Sequence, residues 1–368
     1  MGVADLHFRV WQPTLMKHGC VRKAYGLLFS SLFLNAPACD PRNPSLVYED
    51  ERGRISGFLG VTMRPMRFRQ ERVSMAVGTQ FMIERGVPQS VPMRMARRAM
   101  RGPQDLTYLD MANPRGLRFA TALGFSRIEP FSRHWLRPLR PARLAGALIR
   151  RRQASKQSIT TPSRTVGDID SAQPYAVVPG LTPERLSAMA WRDDLHDLLI
   201  ESLCPVYSHA WSNWLYQRLQ NTFEGGSVRS VLYRSEAGRT VGWYVYQCIP
   251  GDIGQVAQLV AEPGRERELF NLLLRDASSH GLAALTGRFH PRLLPALKRS
   301  GCLPLRRGDV AVAFSSRPEL LAALQSGDAF LSRLEGEGAV NLHLASAQLG
   351  DLRSDHAGHV SVVNPDLR

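Results

Sequence analysis

Lysine is almost missing from this chain of 368 residues: four (Lys17, Lys23, Lys156, Lys298) stand against 43 arginines. A surplus that extreme reflects source composition more than selected phosphate contacts. No aromatic-laced basic helix or nucleic-acid motif accompanies it, so nucleic acid is not an expected partner. Cysteine is scarce too. The five present (Cys20, Cys39, Cys204, Cys248, Cys302) are odd in number and show no CxxC spacing, which argues against a disulfide framework and a zinc site; no metal is expected. No apolar run reaches about 18 residues, the length a membrane-spanning helix needs. Asp5, His7 and Arg9 stand where a signal peptide would place its apolar core, so the chain is expected to be cytoplasmic. With 44% hydrophobic and 21% charged residues it reads as globular, and its length suits two domains.

The formal net charge is +15, and its placement is uneven. Between Arg94 and Lys156 there are 15 basic residues against three acids, Asp105, Asp110 and Glu129. The segment Arg137–Arg152 is either a solvated basic linker or a peripheral contact for an acidic surface.

An internal repeat organises the rest. Residues 45–58 align without gaps on residues 230–243. Tyr48 matches Tyr233, Glu51 matches Glu236, Gly53 and Arg54 match Gly238 and Arg239, and Gly57 matches Gly242. Each copy reads as a strand, a Glu-x-Gly-Arg turn and a second strand, the signature of a β-hairpin. The elements after each hairpin repeat as well. In the first copy, residues 77–83 read as a strand, 92–100 as a helix, 106–110 as a strand and 113–123 as a helix stopped at Gly124. In the second, residues 254–261, 266–280, 283–288 and 291–300 give the same order, with Leu269, Leu272, Leu273 and Ala277 on one helical face. The polar stretch 153–173 is the natural joint, and residues 319–334 form one further amphipathic piece before a polar end.

With those elements the chain resembles the GNAT superfamily of acyl-CoA-dependent N-acyltransferases. The resemblance rests on the hairpin Val47–Val61, the strand Thr79–Ile83 leading to a helix, and Asp110–Asn113 followed by Leu123, Gly124 and Phe125. It implies an α/β fold of two tandem GNAT-like domains with mixed, mostly antiparallel sheets flanked by helices. The domains are expected at 1–140 and 174–316, joined by a basic then polar linker 141–173 and followed by a helix and flexible tail at 317–368. It also implies an acyltransferase, acting from acetyl-CoA or another acyl-CoA on an amine or hydroxyl acceptor. The alternative is a GNAT scaffold that has lost catalysis and binds a partner.

Family members bind the pantetheine arm along the strand before the central helix and the pyrophosphate at that helix's start. The resemblance therefore places Phe81, Met82, Ile83, Ser90, Val91, Arg94 and Asn113 at the acyl-CoA. Unpaired N–H groups and the positive end of the helix dipole favour an anion there. In this sequence Ser90 and Pro92 take the two positions usually held by small residues. Pro92 lacks an N–H, while Val91, Met93 and Arg94 keep theirs. The second copy opens its helix with Glu262, Glu266 and Glu268, which repel a phosphate, so the first copy is the expected donor site. Ala120 and Leu297 stand where a proton-donating tyrosine is common in the family. The remaining catalytic candidates are Glu84 as base, Tyr108 as proton donor and His290 as base. The segment from Trp191 to Trp214, with Asp193, Asp194, His196, Asp197 and His209, reads as a helical lid packed by Tyr207, Trp211 and Trp214.

Overall fold

The computed structural model describes residues 2–11, 19–156, 175, 178–220, 227–305 and 310–340. Most of the polar joint 153–173, and all of residues 341–368, lie outside the described residues.

The chain opens with helices α1 (Gly2–Trp11) and α2 (Gly19–Phe33) and enters the first hairpin, β1 (Leu46–Glu49) and β2 (Ile55–Phe68). Asp50 closes its turn by accepting the N–H groups of Arg52 and Arg54, and Gly53 takes the φ of 70° that the turn requires. Then come β3 (Glu71–Ile83), α3 (Ser90–Met100), β4 (Leu106–Ala112), α4 (Pro114–Ala122), β5 (Ser126–Arg127), α5 (Glu129–Ser132), β6 (His134–Pro138) and α6 (Pro141–Lys156). The basic stretch expected as a linker is thus largely helical.

The second half starts with β7 (Leu181–Arg185), α7 (Ala188–Asp193), α8 (Leu195–Leu198), β8 (Leu203–Pro205) and α9 (His209–Gln220). Its repeat comprises β9 (Ser227–Ser235), β10 (Thr240–Cys248), β11 (Ile253–Ala261), α10 (Glu266–Ser279), β12 (Ala284–Arg288), α11 (Leu294–Arg299), β13 (Leu303–Leu305) and β14 (Val310–Phe314). Helix α12 (Pro318–Ser326) closes the series. The helix expected to run to Leu334 stops early, because Gly327 turns the chain left-handed at φ 79°.

Two sheets result, in the orders β1-β2-β3-β4-β14-β5, with β8 joining β2, and β13-β6-β12-β11-β10-β9-β7. The halves exchange strands: β6, from the first repeat, pairs antiparallel with β12, and β14, from the second, pairs antiparallel with β4. Each exchanged strand covers the edge that the parallel pair would otherwise leave open. On β6 the exchange is fixed by Trp135, 1% exposed, which donates its ring N–H to the carbonyl of Arg288 at 3.1 Å. Gly287 makes room, since a Cβ there would lie 2.6 Å from the indole. Helices cover the sheets: α1 and α2 pack on Phe58 and Met82, α3 on Val61 and Ala76, α5 and α12 on Val77 and Ala313, α4 on Ala112 and Val312, α7 to α9 on Trp243 and Val245, and α10 and α11 on Tyr244 and Leu285.

Candidate active site

Each sheet contains one parallel pair, and both pairs part. β3 and β4 are in register only at Met75–Leu106, Ala76–Thr107 and Val77–Tyr108. β11 and β12 are in register only at Ile253–Ala284, Gly254–Leu285 and Gln255–Thr286. Beyond the first parting, β3 shifts register against β2 and Gln80 takes a φ of 52°; β11 shifts against β10 between Val256 and Gln258. A bulge adds a residue to one strand and bends it, so each third strand turns from its parallel neighbour and leaves a wedge.

The chain's own residues 328–340 run through both wedges. Phe330 donates its N–H to the carbonyl of Leu203 at 2.8 Å, and Arg333 donates its N–H to the carbonyl of Ala257, at the bulge of β11, at 3.1 Å. In the first wedge the N–H of Glu337 donates to Asp110 at 2.8 Å, and Thr79 donates its hydroxyl to the Glu337 carboxylate at 3.0 Å. Gly336 is required at the crossing, since a Cβ there would fall 2.0 Å from an Asp110 oxygen. The cavity left in the second wedge, lined by Trp135, Arg288, His290 and Phe330 among others, has a volume of about 40 Å³. That is room for two or three waters.

Where the ends of β4 and β12 meet, the side chains are polar and buried. Arg288 donates to Asp110 at 2.6 Å and to the Tyr108 hydroxyl at 3.2 Å. Nearby, Glu335 is fully buried and accepts from the Tyr207 hydroxyl, from Gln258 and from the N–H of Ser332. Gln258 in turn accepts from the indole N–H groups of Trp191 and Trp243, at 2.6 and 2.8 Å. Arg64 stacks on Trp211 with its charge centre 4.1 Å from the ring. Burial sets the titration of these groups. It raises Glu335, Tyr108 and Tyr207 above their ordinary values and lowers Arg64 to about 10.

The residues expected from sequence are distributed among these features. Tyr108 is in the polar seam, bonded to Arg288. His290 borders the second wedge, its Nε2 3.2 Å from the carbonyl of Ala329 and 3.5 Å from Glu201, and burial lowers its pKa. Glu84 stands apart from both, accepting from Arg9 at 3.1 Å with Arg54 at 3.5 Å. Phe81 and Ile83 pack toward α3, and Met82 packs toward α2. Phe81 also meets Phe119 of α4, their ring centres 5.6 Å apart. Asn113 caps α4, accepting the N–H of Gly116. Ser90 and Arg94 are exposed and Val91 is buried at the start of α3.

That start is leaner in donors than the sequence suggested. Val91 gives its N–H to the carbonyl of Pro88, Pro92 has none, and Met93 and Arg94 fall beyond the first four positions, where donors enter the helical ladder. Gln89 and Ser90 remain. At α10 the matching position is filled from within, the N–H of Gly264 donating to Glu266 at 3.0 Å.

Around α7 to α9, Trp191, Tyr207 and Trp211 are buried against the second sheet and Trp214 stacks on Trp211 at 4.9 Å. No metal-binding cluster of His, Cys, Asp or Glu occurs among the described residues. Sequence reasoning missed Arg288, Asp110, Glu335 and Gln258 as a unit. The available signal was a charge closing each of two apolar strands, at Asp110 and Arg288.

Two sheets, each with a parting parallel pair followed by a helix, define a GNAT-like fold, and comparison with solved structures agrees. A GCN5-related N-acetyltransferase from Anabaena variabilis superposes with a TM-score of 0.54 at 14% identity, over 86% of this chain and 70% of that one. A probable N-acyltransferase from Enterococcus faecalis gives 0.52 at 12% identity, over 85% and 69%. Saccharomyces cerevisiae N-myristoyltransferase with bound myristoyl-CoA gives 0.49 at 10% identity, over 84% and 78%. No protein-family model matches the sequence, and no curated protein sequence matches it.

Proposed function

We propose that the chain is an acyl-CoA-dependent acyltransferase of GNAT type, with its donor site in the first half, passing the acyl group to an amine or hydroxyl. The observation that carries this reading is the approach to α3. Ser90 and Arg94 are exposed there, and nothing lies within 4 Å of a Cβ built on Gly86. A diphosphate can therefore reach the N–H groups of Gln89 and Ser90, with Arg94, Arg97 and Arg98 supplying charge. The pantetheine arm would follow β3 past Phe81 toward the polar seam. The acceptor attacks the thioester carbonyl carbon, the C–S bond breaks, and the acceptor's proton must be removed as the thiolate is protonated. Tyr108, whose hydroxyl accepts from Arg288 and whose burial keeps it protonated, enters as the proton donor. His290, neutral through burial, is the candidate acceptor of the other proton. Positioning of the two substrates supplies most of the acceleration.

A second reading is favoured by one observation. Residues 328–340 already sit in both wedges, as a scaffold that binds a partner instead of acyl-CoA would have them. Thermal unfolding with acetyl-CoA and with longer acyl-CoAs separates the two. The transferase reading expects a rise in Tm that grows with the logarithm of acyl-CoA concentration, equivalent to about 2.7 kcal/mol at a hundredfold excess over Kd, and its loss in Arg94→Glu. No shift with any chain length would leave the scaffold reading standing.

A further inference from the structure

Several surface arginines outside α3 and α6 are matched to acids. Arg317 pairs with Glu71 and Glu319, Arg234 with Glu184 and Asp194, Arg265 with Glu268, and Arg292 with Glu201 and Glu266. On the face built by the end of β6 and α6, this matching stops. Between Glu129 and Asp168 the sequence carries nine basic residues and no acidic one. A genome rich in arginine codons accounts for arginine over lysine. It does not account for nine basic residues in a row without an intervening acid.

The structure shows how that charge is held. Arg140 donates to the carbonyl of Ser278 at the end of α10, and Arg150 donates to the carbonyl of Gly251. Arg137 and Arg143 lie near Gly301 and Gly281, past the ends of α11 and α10. The bonds of Arg140 and Arg150 are to carbonyls, which orient a guanidinium without cancelling its charge. Among the described residues, no carboxylate forms an ion pair with Arg137, Arg140, Arg143 or Arg150. Helix α6 turns Leu144 and Ala147 inward and leaves two adjacent aliphatic side chains in solvent, Leu148 at 46% and Ile149 at 57% exposed. Acid-free basic charge around exposed aliphatic side chains matches a surface that is anionic at its headgroups and apolar just beneath. A nucleic-acid backbone uses the charge but has no use for the aliphatics.

We infer that α6 docks this protein on an anionic phospholipid surface, with Leu148 and Ile149 entering the headgroup boundary and the arginines meeting lipid phosphates. This holds whether or not the wedges accept acyl-CoA.

The test is sedimentation of the full chain with vesicles of phosphatidylglycerol and phosphatidylcholine, beside vesicles of phosphatidylcholine alone and a labelled duplex RNA. The expected result is pelleting with the anionic vesicles only, abolished in about 1 M salt, where the Debye length is about 3 Å. Arg143→Ser with Arg150→Ser should weaken it roughly five-fold per arginine. Leu148→Ser with Ile149→Ser should weaken vesicle binding about ten-fold and leave duplex RNA binding unchanged. Both side chains are exposed, so an unaltered Tm confirms that the variant is folded. The inference is overturned if anionic vesicles pellet no more protein than neutral ones. It is also overturned if the aliphatic variant binds anionic vesicles like the parent, a result that, with salt-sensitive RNA binding, transfers the face to nucleic acid.

Discussion

Replacing Arg288 by methionine removes the cation that ties β12 to β4 while keeping most of the side chain's volume. Asp110, 2% exposed, would lose its 2.6 Å contact and keep the N–H of Glu337. Tyr108, with no exposed surface, would lose its contact to Arg288 in the same step. Removing one partner of a buried pair costs about 3–5 kcal/mol, because the remaining charge has no water to return to. At roughly 2–4 °C per kcal/mol for a chain of this class, Tm should fall by about 6–20 °C. The companion variant Arg288→Met/Asp110→Leu, which removes both charges, should recover most of the loss. Urea denaturation of the two single variants and the double variant measures the coupling directly. A loss below about 1 kcal/mol in both single variants, the range of a solvated ion pair, would refute the claim that this contact locks the halves together.

His7 is 1% exposed among aromatic rings, with neither ring nitrogen hydrogen-bonded among the described residues, and burial lowers its pKa from 6.5 to about 4. The folded state resists the proton that the unfolded chain accepts. Stability is therefore full above 6.5 and falls between 6.5 and 4, by up to about 3 kcal/mol. His7→Phe should flatten that acid limb in Tm measured against pH, and an unchanged slope would exclude His7 as its source. Gly336→Ala places a methyl against Asp110 and should unseat residues 335–337 at about 1–3 kcal/mol, read as faster proteolysis near residue 340. If that segment covers the donor groove, the same variant should gain acyl-CoA stabilisation over the parent; equal shifts would show that it does not.

The helical face of α10 and the two hairpins are legible because each depends on residues a few positions apart. Apolar spacing of 3.6 or 2 and a glycine in a turn report the local fold directly. The end of α12 was less so. The apolar pattern runs on to Leu334, but Phe330, Leu331 and Leu334 are buried from a non-helical segment that ends in a turn, and apolar spacing does not distinguish the two over a short stretch. Arg288 and Asp110, 178 positions apart, each looked like an ordinary strand-end charge. Their value lies in being opposite one another.

Taken alone, the order of residues settles the repeat, the α/β class and the contrast between an acid-opened α10 and an acid-free α3. Tertiary structure decides which strand lies beside which, that β6 and β14 change places, and that residues 328–340 fill the gaps where the parallel pairs part. The reason is physical. Backbone donors along a parted strand carry no side-chain label, so any segment able to reach them and bury its own apolar groups can take the position. The occupant is therefore fixed by packing across the whole molecule and not by any run of neighbours.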